Sequence, residues 1–166
     1  MQFIAEVFRQ VADFAAQIKA FRDKALLNVD RVVQEATINI ATALVERTPI
    51  DTTALRANWQ FTVGAPGTVA DYALEDTSPG GEATAAAMAT QIREVPAGGI
   101  TYVVNNLAYM PVIEYGLYTS HHGGKRTSSK TINGFSTQAP AGVRSITAIE
   151  WTTNFVPAAI AKVVTP

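Results

Sequence analysis

The chain predicts an α+β domain: a long N-terminal helix and a C-terminal helix packed on a small, mainly antiparallel β-sheet. Three observations lead there. The run from Met1 to Thr48 holds neither glycine nor proline, segments near 58–64 and 100–105 are rich in β-formers, and helical spacing returns after Pro140. At 166 residues the chain suffices for one core and not two, so 1–166 is read as a single domain.

Each element has its own justification. Apolar residues fall at Ile4, Val7, Phe8, Val11, Phe14, Ala15, Ile18, Phe21 and Ala25, then at Val29, Val32, Ala36, Ile40, Ala43 and Leu44. Steps of three and four are the period of an amphipathic helix, so 1–47 is a helical segment. Unbroken, it would run on the order of 65 Å. A compact domain of this size is narrower, so a break is expected near Arg22–Asp30, with Asp23 or Asn28 capping a second helix; otherwise the helix projects. Pro49 ends it, because a residue before proline avoids helical angles.

Asn58–Gly64 alternates polar and apolar residues as a half-buried strand does. Glycines and prolines make 64–81 a loop, and alanine-rich Glu82–Arg93 is a helix stopped by Pro96. Ile100–Asn105 is the clearest strand. Ala108–Tyr115 is ambiguous, since Pro111 permits a first helical turn and forbids a central strand. Residues 117–137, dense in Ser, Thr and Gly, predict an exposed loop or hairpin arm. The final helix should kink at Pro157 or end near Phe155.

Hydrophobic residues make up 48% and charged residues 16%, which fits either a surface covered by partners or one rich in alanine. The net charge of −1 gives no global attraction to nucleic acid or anionic lipid. Its distribution is uneven: residues 51–116 sum to −5 and 117–166 to +4. Those regions can attract each other between neighbouring copies or neutralise within one chain. There is no cysteine, so disulfides and thiolate chemistry are excluded. No secretory signal pattern and no membrane-spanning apolar run are found.

A search for chemistry finds no catalytic, metal or cofactor residues. His121 and His122 are adjacent, and on an extended segment they point to opposite faces, which suits no shared metal. Gly123-Gly124-Lys125-Arg126 fails as a phosphate-binding loop, because Thr119 and Arg126 stand where a glycine and a hydroxyl are needed. Lys125, Arg126 and Lys130 still form a basic, hydroxyl-rich stretch suited to an acidic partner or to DNA backbone. No carboxylate pair sits in apolar sequence, so an enzyme is not expected.

Two motifs remain. Thr48-Pro49-Ile50-Asp51-Thr52 leads into Leu55-Arg56-x-x-Trp59, and Asn105…Tyr109 leads into Glu114-Tyr115-Gly116. In physical terms Asp51 and Thr52 can shape a turn, Leu55 and Trp59 can anchor it to a core, and Arg56 is available to Glu114. In order and spacing the motifs resemble those of neck and tail-completion proteins of tailed bacteriophages, of the HK97 gene-product-10-like type. Gln138–Arg144 looks like the run that opens the final helix in some of these proteins. Two departures stand out: Thr53 occupies a usual glycine, where positive φ would strain it, and Met110-Pro111 replaces the usual alanine.

The resemblance implies a structural virion protein at the neck or upper tail, present in the host cytoplasm during assembly. It would be a homo-oligomeric ring, a hexamer or a multiple, meeting the connector and tail-tube or tail-terminator proteins, with DNA passing through. A small adaptor that binds one protein through its N-terminal helix is the alternative.

Overall fold

A computed structural model describes residues 2–50, 53–120 and 123–164. It is an α+β structure in which one helix is the axis for everything else. Helix α1 spans Gln2–Glu46, 45 residues without interruption and about 68 Å long. The expected break near Arg22–Asp30 does not occur. Asp23 pairs with its neighbour Arg22 at 2.7 Å instead of capping a new helix, and no glycine or proline relieves the backbone of its regular bonds. The alternative holds: residues 9–27 are exposed on every face, and the helix meets the body only in its second half.

There the burial deepens. Ala36 is buried, and Ala41, Leu44 and Val45 join Leu55, Trp59, Phe61, Met88, Ile92, Leu107, Ile113 and Val143 in one core. Thr48 closes the helix by donating its hydroxyl to the Leu44 carbonyl at 2.7 Å, and the chain leaves through Pro49. A single turn, α2 (Ala54–Ala57), precedes β1 (Trp59–Val63), which pairs antiparallel with β2 (Thr101–Asn105) in the register Trp59 opposite Asn105 and Phe61 opposite Val103. Alternation sends Trp59 and Phe61 into the core and leaves Gln60 and Thr62 less covered.

The loop 64–81 is irregular but anchored. Asn58, fully buried, donates to the carbonyls of Ala54 and Asp71 and accepts from the Asp71 amide at 2.9 Å. Helix α3 (Glu82–Arg93) lies against α1, and Gln34 of α1 donates to the Arg93 and Val95 carbonyls at its end. Helix α4 (Met110–Tyr115) resolves the ambiguous segment: Pro111 sits in its first turn, where a missing amide costs nothing.

Residues 117–137 fold back on themselves. Strands β3 (Thr131–Ile132) and β4 (Phe135–Ser136) form a hairpin closed by Asn133-Gly134, both at positive φ. Thr131, Gly134 and Ser136 are buried, while 123–130 is exposed. The chain ends in α5 (Arg144–Glu150), a wide π turn (Trp151–Phe155) and α6 (Val156–Val164), which packs on α1. Pro157 supplies no amide to the ladder, and the regular α-helical pattern gives way to the wide turn just before it, while helix continues beyond Phe155.

Candidate functional site

The motif residues converge on the corner where α1 ends. Trp59 Nε1 donates to Thr48 Oγ1 at 2.8 Å, and Arg56 donates to the carbonyls of Thr48 (3.1 Å) and Glu46 (3.3 Å). The guanidinium thereby satisfies carbonyls that a helix end leaves open, while Thr48, Pro49, Leu55, Arg56 and Trp59 are all buried. Asp51 and Thr52 lie outside the described residues. Thr53 is at φ −64°, in the ordinary helical region, so a β-branched residue sits there without strain.

The second motif docks on the first. Asn105 donates to the Leu55 carbonyl at 2.7 Å and accepts the Leu107 amide at 3.2 Å. Tyr109 is half-buried against the core, its ring 6.3 Å from that of Tyr72. Gly116 ends α4 at φ +62°, and the Phe135 ring occupies the place its Cβ would take, 2.5 Å away. Tyr115 is exposed, and its hydroxyl accepts from Arg144 at 3.0 Å.

Glu114 corrects the sequence expectation most clearly: it does not pair with Arg56. Its buried carboxylate accepts from the amides of Val143 (2.9 Å), Arg144 (2.8 Å) and Ser145 (2.9 Å) and from the Ser145 hydroxyl (2.5 Å). A side chain from α4 thus caps α5. Burial alone would raise its pKa, but the bonds from Ser145, Val143 and Arg144 outweigh that and hold it below the usual carboxylate range. The Arg56–Glu114 idea fails because each group meets nearer backbone partners.

Three polar anchors escaped sequence reasoning. Buried Asp76 accepts from Thr84 through its amide (2.8 Å) and hydroxyl (2.6 Å), and from Ser78 through both its amide and its hydroxyl. Burial pushes its pKa up, yet these bonds from Ser78 and Thr84 bring it to about 2. Arg47 reaches Thr147 (3.0 Å) and Glu150 (2.8 Å), and its hydrogen bond lowers the Glu150 pKa. Lys162 pairs with Glu35 at 2.6 Å. Ser or Asp ahead of a helical run hints at the first; the other two join residues 103 and 127 positions apart and leave no local mark.

Two surfaces face outward. A groove of about 720 Å³ runs between the motif corner and the hairpin, with Ile50, Tyr72 and Tyr109 on its walls and Glu75, Arg126 and Lys130 among its polar lining. Lys125 lies 5.4 Å from the Phe135 ring centroid, which ties that cation to the hairpin's base. The other surface is the outer half of α1, where Phe14 and Phe21 are 64% and 73% exposed.

Among the described residues every buried side-chain polar atom has a partner, and no cluster of three His, Asp or Glu could hold a metal. His121 and His122 lie outside those residues. No described helix is long and apolar enough to cross a membrane. No family model, curated protein or solved structure matches the chain.

Proposed function

We propose that the protein is a structural component of a tailed-phage particle, at the neck or upper tail, that works by assembling into a ring. One observation carries this reading: the outer half of α1 stands clear of the body with large apolar side chains in water. Monomers rarely leave such a contiguous apolar surface uncovered. The motif corner supports it from the inside. Its polar groups are consumed in tying the end of α1 to α2 and β1, β2 to α2, and α4 to α5, which suits a rigid block with a protruding arm.

In this reading a heterologous contact repeats around an axis until it closes, giving a hexamer or a multiple. The ring joins connector to tail-tube or terminator proteins and leaves a channel for DNA. Lys125, Arg126 and Lys130 present cations at the hairpin, toward an acidic partner or, without sequence code, toward phosphates.

The test is particle composition together with deletion. Purified virions should contain the chain, and its deletion should leave heads and tails unjoined in negative-stain images. Infectious particles without it would end the proposal. An adaptor using the same helix for one protein would instead stay a monomer with a single bound partner.

A further inference from the structure

The exposed half of α1 has a finer pattern than amphipathicity. Val11, Phe14, Ile18, Phe21 and Ala25 are separated by steps of three, four, three and four, so they occupy successive a and d positions of a heptad. The same spacing runs back through Val7 and Ile4. It fades where the helix meets the body: the next such positions are Asn28, Val32, Glu35 and Asn39, of which Val32 alone is apolar, and the buried set Ala36, Ala41, Leu44 and Val45 follows other positions. A 3.5-residue period is the mark of helix-on-helix packing, in contrast to the 3.6 period of a helix lying on a body.

We infer that this seam takes the same segment of other copies of the chain, forming a self-associating helical bundle at the free end of α1. The inference rests on the assembly reading above and names its contact. Charge supports a second copy as the occupant. Residues 2–27 carry four basic and three acidic groups, interspersed in sign as Glu6, Arg9, Asp13, Lys19, Arg22, Asp23 and Lys24, and none stands at an a or d position. Identical helices can therefore approach without facing a block of like charge. The seam is also open to solvent along its length. Val11, Phe14, Ile18 and Phe21 are 60%, 64%, 53% and 73% exposed. At these exposures two phenylalanines of roughly 150–250 Å² have roughly 100–180 Å² each left to bury, a part of the roughly 800 Å² that each partner gives to a stable interface, to which the aliphatic seam beside them adds.

The experiment uses the full chain. Sedimentation equilibrium compares the natural protein with the double variant Phe14→Glu and Phe21→Glu, and with Ala16→Glu, which places a charge at an exposed position off the seam. Circular dichroism and the melting of the body confirm that each variant is folded. The natural protein and Ala16→Glu should be oligomers at tens of micromolar, with the double variant shifted at least tenfold toward monomer. A monomeric natural protein, or a double variant that associates as the natural one does, overturns the inference. Particle composition is read separately, so a chain present in virions whose double variant still associates would sink the seam alone. One that associates through the seam but is absent from virions would sink the phage role alone.

Discussion

Glu114 Oε2 receives the amide protons of both Val143 and Arg144, at 2.9 and 2.8 Å, so a residue from one helix supplies the missing cap of another. The amides at a helix N-terminus have no intrahelical acceptors, and a buried carboxylate answers both their hydrogen-bonding need and the positive end of the helix dipole. Glu114→Gln keeps the shape but replaces one acceptor oxygen by a donor facing donors. It should destabilise the fold by about 2 kcal/mol, as expected for a hydrogen bond to a charged group. Urea unfolding measures this; an unchanged midpoint would show that the cap is dispensable.

The second prediction concerns acid. Asp76 falls from an ordinary 3.8 to about 2. A depressed folded-state pKa stabilises above the unfolded value, and that contribution disappears as pH falls from about 4 to 2. Glu114 is shifted in the same direction. The natural protein should lose stability across this window, and the advantage it holds over Asp76→Asn at pH 6 should shrink by about 2 kcal/mol by pH 2. A gap between the two that does not change with pH would remove Asp76 from the account.

Two glycines separate backbone strain from collision. Gly116 and Gly142 both have positive φ, at +62° and +78°. A Cβ at Gly116 would meet the Phe135 ring, whereas one at Gly142 would meet the Glu114 backbone carbonyl at 2.6 Å and its carboxylate at 3.1 Å. A ring can swing aside more readily than a helix carbonyl. Gly116→Ala should cost about 2 kcal/mol, within the range for such conformations, and Gly142→Ala more. Thermal melts of the two variants provide the comparison, and the reverse order would contradict this geometry.

How much of this was legible beforehand follows from the kind of signal each feature leaves. Helix ends were readable because Pro49 and Pro96 impose local rules, and β1 and β2 because alternation is local too. Of the two readings open for α1, the break fails and the projecting helix holds: Asp23 and Asn28 can cap a helix, yet capping residues do not break one without something to force the turn. Arg56 and Glu114 do not pair with each other as the sequence reading offers. Their partners are backbone groups, which every residue carries and which no sequence pattern marks. The β3–β4 turn was there to be read: Asn133-Gly134 is a strong hairpin signal. Arg47 and Glu150 had no such sign, since a pair formed between distant segments depends on the fold already being known.

Helix α1 has no hinge, and that gives it a mechanical character. Its outer stretch is a stiff lever of roughly 40 Å, and a tilt of about 8° at the root swings the tip through about one helical pitch. Whatever grips the tip therefore sets the direction in which the body faces as well as where it sits. Torque applied at one end arrives at the other.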